Sequence, residues 1–210
     1  MKIYMIRHGE TDWNKARKLQ GQIDIQLNEF GRSLAVDTEP ALRDIPFDLV
    51  ITSPLSRAKV TAQLVLAGRD IPMIEDERIM EMGFGAYEGL HCKGENYNIP
   101  DPDFHYFYDS PSKLKAPEGG EDFYALSARL DEFLNDLHNN SELQDKTILI
   151  STHGASLCGI LRLMKGWPMD KFWGDGVHKN CAVSLAEYKD GKIDVLWENI
   201  TYYKAEVENW

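Results

Sequence analysis

Two apolar runs in this chain end in the same dipeptide, and this repetition constrains the fold more than any other feature. The run KIYMI at residues 2–6 leads to His8, and KTILIST at residues 146–152 leads to His153, each histidine being followed by glycine. Apolar runs of this length predict buried strands. Because ligands bind outside the carboxyl ends of strands in an open α/β sheet, we expect both histidines to face one crevice. The glycines let the backbone approach an anion closely. The helices that follow would direct their N-terminal amides towards that anion.

The remaining pattern predicts an α/β fold with a mainly parallel central sheet, in a single domain over residues 1–210. Two further runs, DLVITS at 48–53 and IPMIED at 71–76, are typical of strands, and CAVSLAEY, KDG and KIDVLWENI together predict a hairpin. Apolar residues at helical spacing predict helices at 29–44, 53–67, 120–138 and 153–166. Strands that alternate with helices indicate a parallel sheet.

Single residues predict some of the helix ends. Pro40 lies inside the first helical pattern, where we expect it to break or kink the helix because proline has no backbone N–H. Ser53 and Pro54 have the composition of an N-cap and first helical residue, and Gly68 is typical of a helix end. This start would place Arg57 one turn into the helix that follows the second strand.

The segment from about residue 79 to 119 lacks a sustained period. It is rich in Gly, Pro, Asp and Asn, and it carries the aromatic cluster Phe104, Tyr106, Phe107 and Tyr108. Long loops of this kind in compact domains are usually functional or disordered, and the aromatic residues favour an ordered one. We therefore predict a lid inserted around residues 85–119, in which residues 92–118 determine substrate specificity.

Composition excludes some classes of function. The chain has 23 basic and 34 acidic residues, a net charge of −11, which is unfavourable for a protein that binds nucleic acid. Its three cysteines are far apart and form no CxxC pair, so a reducing compartment is expected. The apolar run at the N-terminus is too short for a signal peptide, and no stretch is long enough to span a bilayer. We expect a cytoplasmic protein without a membrane partner.

Charged residues accompany three of the predicted strand ends. Arg7 precedes His8, Arg57 follows the second strand, and Glu81 follows the third. Arginine forks match phosphate oxygens in pairs, a neutral imidazole is a good nucleophile near pH 7, and a carboxylic acid can protonate a departing oxygen. These residue types are those that phosphoryl transfer requires.

Four motifs in this order resemble those of the histidine phosphatase superfamily, the phosphoglycerate-mutase-like proteins. They are RHGETDWN, SPLSRAKVTA, EMGFGAYEG and STHG, and the segments GQIDIQLNEFGRSLA and PEGGE match more weakly. The resemblance covers residues 1 to about 185. It implies a three-layer α/β/α sandwich with a lid over the carboxyl ends of the strands, and it implies neither a metal nor a cofactor.

The resemblance also implies catalytic roles. His8 would attack phosphorus and become a phosphohistidine, and Glu81 would protonate the leaving alcohol and then help to activate water. The phosphoryl oxygens would be held by Arg7, Arg57 and His153.

A second set of residues is implied to line the phosphate or substrate site. Thr11 and Asn14 belong to this set through the first motif. The backbone of Gly154 and Ala155 would add an amide contact at the start of the helix after His153.

Three functions compete on the sequence alone. A phosphatase for small phosphomonoesters, such as a sugar phosphate or similar metabolite, is favoured because the stretch from Glu81 to His153 is short, acidic and aromatic. A cofactor-dependent phosphoglycerate mutase is the alternative, and a non-catalytic phosphate-binding module ranks below both. Metal-ligand motifs and a GxGxxG after the first strand are absent from the sequence. The C-terminal aromatic residues suggest a homodimer interface; they are Trp197, Tyr202, Tyr203 and Trp210.

Overall fold

Six strands form one mixed sheet in the computed structural model, which describes residues 1–206. The strands are Lys2–Arg7 (β1), Leu49–Thr52 (β2), Met73–Glu75 (β3), Thr147–Thr152 (β4), Val183–Lys189 (β5) and Lys192–Ile200 (β6). Their order is β3-β2-β4-β1-β5-β6. The first four are parallel, and β5 and β6 form an antiparallel hairpin at one edge. The predicted mainly parallel α/β sheet is confirmed; the last four residues of the predicted domain, with Trp210, lie outside the described residues.

Helices cover both faces of this sheet. The α-helices are Asp12–Lys15 (α1), Glu29–Leu42 (α2), Ser56–Leu66 (α3), Tyr106–Asp109 (α4), Phe123–Asn139 (α5) and Gly154–Met164 (α6). Short 3-10 helices occupy Glu77–Ile79, Gly85–Tyr87, Pro102–His105, Pro111–Lys113, Ser141–Leu143 and Met169–Lys171. Between residues 1 and 206, none of the helices combines the length and apolar character that crossing a membrane requires.

The alternation of side chains along the strands builds two separate cores. In β1, Ile3 and Met5 belong to the core that contains α5 and α6, whereas Ile6 belongs to the core that contains α2 and α3. In β4, Ile150 and Leu149 divide in the same way. Successive side chains of a strand point to opposite faces, so each strand contributes to both layers. The result is the three-layer α/β/α sandwich that the resemblance implies.

The structure differs from what Pro40 and Ser53 predict for the helices α2 and α3. The α2 helix is not broken at Pro40, which lies inside it. The carbonyl that loses its partner there belongs to Val36, which is 53% exposed, so solvent can bond to it. The α3 helix begins at Ser56 and not at Pro54, so Ser53 is not its N-cap. The Ser53 hydroxyl bonds to His153 and to the Leu55 amide, and these contacts replace the expected capping role.

The irregular excursion packs against the α5 side of the sheet. Phe104, Phe107 and Leu114 are buried in the core there, and the indole of Trp173 donates to the Phe107 carbonyl (2.6 Å). The excursion is thus ordered by its aromatic residues, as expected. Its role as a lid stays a prediction.

Candidate functional site

The two histidines of the repeated dipeptide lie side by side at the carboxyl edge of the sheet. β1 and β4 are parallel neighbours, and their last paired residues are Arg7 and Thr152. The next residue of each strand is therefore a histidine, and the ring centroids of His8 and His153 are 5.2 Å apart. Both are buried, with exposed fractions of 2% and 0%. The strand register alone brings together two residues that are distant in sequence.

The environment of His8 selects one tautomer. Its Nδ1 lies 2.7 Å from the Gly9 carbonyl oxygen, which can only accept, so Nδ1 carries the proton and Nε2 carries the lone pair. Its backbone is held by the Thr152 carbonyl (2.9 Å) and by the Asn180 amide, which donates to the His8 carbonyl (2.9 Å). Burial, then the charges of Arg57 and Arg7, holds the pKa of His8 well below 6.5. The ring is therefore neutral at pH 7, with Nε2 available to attack.

His153 has the opposite tautomer. The Nε–H of Arg57 donates to its Nδ1 (3.2 Å), so the proton is on Nε2, which donates to the Ser53 hydroxyl (2.7 Å). Burial, then the charge of Arg57 and the neighbouring imidazole of His8, holds the pKa of His153 well below 6.5. The ring of His153 is thus neutral and is held from both sides, by Arg57 and by Ser53. It lies beneath a crevice whose lining includes Arg7, His8, Arg57 and Glu81.

Arg57 is the second residue of α3, two residues closer to the helix start than the sequence predicted. It is fully buried, and its guanidinium donates hydrogen bonds to the carbonyls of Gly21 (2.7 Å) and Ile23 (2.8 Å) in the loop after α1. Burial lowers the pKa of Arg57 to about 10, so the guanidinium stays charged at pH 7. Arg57 lines the crevice. Two of its five N–H groups make no hydrogen bond with any of residues 1–206, so they are available to a ligand there.

Arg7 lines the same crevice from the end of β1. Its exposed fraction is 4%, and its Nη1 donates to the His178 carbonyl (2.5 Å). Burial lowers the pKa of Arg7, and the negative charge of Glu81 opposes that shift. Both arginines therefore line the crevice that His8 also lines, and their charges act on the His8 ring.

The carboxylate of Glu81 lies on the N-terminus of α6. Its oxygens accept backbone N–H groups from Ala155 (3.1 and 3.2 Å), Ser156 (3.1 Å) and Met82 (3.0 Å). A helix N-terminus stabilises negative charge, and these amides are the donors that the sequence assigned to a phosphate. Glu81, Gly154 and Ala155 all line the crevice.

Thr11 and Asn14 have different positions. Asn14 lines the crevice, 5% exposed, whereas Thr11 is fully buried and does not line it. Thr11 is the N-cap of α1, and its hydroxyl lies within bonding distance of the Asn14 amide oxygen and of the Gln20 amide oxygen (2.9 Å). The capping role explains why Thr11 lies behind the wall that Asn14 helps to form.

The rest of the crevice lining is mostly aromatic and aliphatic, with one lysine. Phe107 and Tyr108 belong to the aromatic cluster of the excursion and Phe84 to the third motif, whereas Lys18, Leu19, Trp173 and Val177 carry no signal in the sequence analysis. Asn180 and His178 hold His8 and Arg7 through the contacts given above. Because β5 is antiparallel to β1, the residues just before β5 lie at the carboxyl edge of β1. The polar residues that precede the hairpin could have been identified from this relation. In the part of the chain described, no group of three His, Cys, Asp or Glu side chains is placed to hold a metal ion.

Known proteins are similar to this chain over nearly its whole length. The sequence profile of the histidine phosphatase superfamily (branch 1) matches residues 3–201. The adenosylcobalamin/alpha-ribazole phosphatase of Salmonella typhimurium is 31% identical over 189 residues, which cover 89% of this chain and 92% of that protein. The metal-independent phosphoserine phosphatase of Arabidopsis thaliana is 31% identical over 208 residues, 97% and 83% of the two chains. The solved structure of Bacillus stearothermophilus YhfR has a TM-score of 0.87 and 32% identity, covering 96% of this chain and 98% of that one.

Proposed function

The chain belongs to the histidine phosphatase superfamily, branch 1, and is a phosphatase; we propose that it cleaves its substrate through a phosphohistidine formed on His8. One observation carries this proposal. His8 is a buried, neutral imidazole whose Nδ1–H is bound to the Gly9 carbonyl, so that Nε2 is free to act as a nucleophile in the crevice that Arg7 and Arg57 also line.

The reaction has two steps. In the first, His8 Nε2 forms a bond to phosphorus, the bond from phosphorus to the alcohol oxygen breaks, and the carboxylic acid of Glu81 gives its proton to that oxygen. In the second, water attacks phosphorus, its proton passes to Glu81, and His8 leaves as the neutral ring. Arg7 and Arg57 hold the phosphoryl oxygens and stabilise the charge that develops on them. His153, whose two ring nitrogens are bonded to Arg57 and Ser53, orients Arg57, and the direct phosphoryl contact that the resemblance implies for it stays a prediction.

The crevice wall supports a substrate whose alcohol part is partly apolar or sugar-like. Phe84, Phe107, Tyr108 and Trp173 offer aromatic surface beside the phosphoryl site. Lys18 adds a cation, and no carboxylate of residues 1–206 lies within ion-pair distance of it. The excursion at 92–118 supplies two of the four aromatic residues, which supports its proposed role in specificity. The names of the relatives make alpha-ribazole phosphate and phosphoserine the first two compounds to test, followed by sugar phosphates and phosphoglycerates.

The mutase alternative is less supported, because the similar proteins named above are phosphatases. Two lysines of the excursion, Lys93 and Lys113, lie over the rings of Tyr108 (5.7 Å) and Tyr106 (5.5 Å) and do not line the crevice. A direct assay decides the question. We expect hydrolysis of 3-phosphoglycerate to exceed its interconversion with 2-phosphoglycerate, and faster interconversion would establish the mutase.

Trapping of the phosphoenzyme tests the nucleophile. We expect a substrate-dependent mass increase of one phosphoryl group in acid-sensitive form, and its loss in His8→Ala together with hydrolysis of an aryl phosphate. His105→Ala is the matched control, since His105 is exposed and lies outside the crevice. Added chelator should leave the rate unchanged. Full activity in His8→Ala, or a requirement for metal, would exclude this mechanism.

The cellular context is also a proposal. Cys92, Cys158 and Cys181 are all free and buried, which supports a reducing, cytoplasmic compartment.

The expected homodimer stays a prediction. Tyr203 is buried in its own chain and donates to the Asn180 carbonyl (2.6 Å), whereas Tyr202 is 41% exposed.

A further inference from the structure

One arginine outside the crevice binds the backbone that carries Glu81. Arg129 lies in the second turn of α5, and its guanidinium donates to the carbonyls of Arg78 (2.6 Å), Met80 (2.8 Å) and Glu81 (3.0 Å). Its two remaining N–H groups donate to the carboxylate of Glu121 (2.7 and 2.8 Å). All five donors of the guanidinium are thus used, three of them on one short segment.

Glu121 binds the same segment from its other end. Its Oε2 accepts the Gly83 amide (2.8 Å), and the Glu121 amide donates to the Gly83 carbonyl (2.8 Å). Arg129 and Glu121 therefore contact the chain on both sides of Glu81. The side chains of the pair are 17% and 21% exposed, so it is well shielded from solvent and its geometry is constrained.

The segment needs such a support because it has no regular structure of its own. Residues 80–84 belong to neither helix nor strand, so no ladder of backbone bonds fixes them. The Glu81 carboxylate must reach the alcohol oxygen in the first step and the attacking water in the second. A displacement of about 1 Å in such a group can cost a hundredfold in rate.

We propose that Arg129 and Glu121 are positioning residues that set the location of the Glu81 carboxylate for proton transfer, although neither lines the crevice. This inference rests on the proposed function, in which Glu81 is the acid. Lysine cannot replace Arg129, because an ammonium group lacks the planar fork that spans several carbonyls and a carboxylate at once.

Leaving-group dependence tests the proposal. For a ping-pong enzyme, kcat/KM reports the steps up to departure of the alcohol, and only a poor leaving group needs a proton from Glu81. We expect Arg129→Gln to lower kcat/KM for an alkyl phosphate at least roughly tenfold. The largest loss expected is the whole contribution of acid catalysis, about 10²–10⁴-fold. Hydrolysis of 2,4-dinitrophenyl phosphate should change by less than about threefold, since dinitrophenolate departs without a proton.

Matched variants separate positioning from a general structural role. Glu81→Gln should show the same selectivity, and Arg129→Gln added to it should lower the alkyl rate by no more than about twofold, because the acid is already gone. Arg129→Lys should resemble Arg129→Gln. Arg162→Gln is the control, since Arg162 is also half-buried and donates to a backbone carbonyl, that of Trp167 (2.8 Å), outside the crevice.

The outcomes are distinguishable. Equal losses on both substrates, or no loss, in a folded Arg129→Gln enzyme would overturn this inference while leaving Glu81 as the acid. If Glu81→Gln shows no selectivity between the two substrates, its assignment as the acid fails instead. If Arg129→Gln does not fold, Glu121→Gln provides the test, because the glutamine keeps one carbonyl oxygen that can accept a hydrogen bond from Arg129. A loss of activity on the alkyl phosphate alone supports the positioning role. An equal loss on both substrates refutes it.

Discussion

Buried neutral histidines should make this protein unusually sensitive to mild acid. Burial lowers the pKa of His8, His153 and His178, in the last case to about 4. The unfolded chain would bind protons at all three with a pKa near 6.5. A histidine whose pKa is lower when folded binds fewer protons in the folded state. Its contribution to stability is therefore fully present above about pH 6.5 and is lost as the pH falls towards the folded value.

The size of the effect follows from these three residues. Each one favours unfolding by about 1.4 kcal/mol per pH unit below 6.5, so lowering the pH from 7.5 to 5.5 should remove roughly 4 kcal/mol. His138 is only half-buried and adds less. The carboxylates with lowered pKa, Glu39, Asp48 and Asp76, are ionised in both states at pH 5.5 and contribute almost nothing in this range. Since a domain is stable by about 5–15 kcal/mol, the loss is a large share.

Urea denaturation at the two pH values measures this loss. Tryptophan fluorescence is a suitable signal, because the chain has five tryptophans. In His178→Gln the decrease between pH 7.5 and 5.5 should shrink by about 1.4 kcal/mol, one third of the total. The exposed His105 is the matched control, and His105→Gln should leave the decrease unchanged. A decrease below about 1 kcal/mol in the unaltered protein would refute the assignment of buried neutral histidines.

Three further results are expected. Gly31→Ala should destabilise the fold by at least about 2 kcal/mol in urea denaturation, because its Cβ would lie 2.1 Å from the Glu10 carbonyl oxygen; an unchanged midpoint would contradict this. Asn180→Ala should cost about 1–3 kcal/mol and slow phosphoenzyme formation in rapid-quench experiments, since the His8 carbonyl loses its donor; normal burst kinetics would argue against this support. After correction for substrate ionisation, kcat/KM should show no protonation of His8 near pH 6.5, and a clear step there would place the nucleophile in a more exposed setting.

Some parts of the site could be predicted because they follow local patterns. An apolar run that ends in His-Gly identifies a strand end, and the carboxyl ends of the four parallel strands must meet at one edge. His8, His153, Arg7, Arg57 and Glu81 were found in this way, and the structure brings all five together around one crevice or directly beneath it.

Other parts depend on contacts between distant segments. The late start of α3 arises because the Ser53 hydroxyl bonds to His153, one hundred residues away, and the unbroken α2 arises because Val36 faces solvent beside Pro40. Thr11 belongs to the first motif and yet lies behind the crevice, since its hydroxyl is used to cap α1. Sequence motifs record which residues occur together and not which side of a loop each one faces.

By itself the sequence determined the α/β class, the order of strands and helices, and the residue types at the strand ends, because these depend on periodicity and residue chemistry along the chain. Only the tertiary structure decided the protonation sites of His8 and His153, which depend on whether a carbonyl or an arginine lies against each ring nitrogen. It also decided the support of Glu81 by Arg129, which joins residues 48 positions apart. Hydrogen bonds of this kind are set by distance and direction in space, so a linear pattern does not encode them locally.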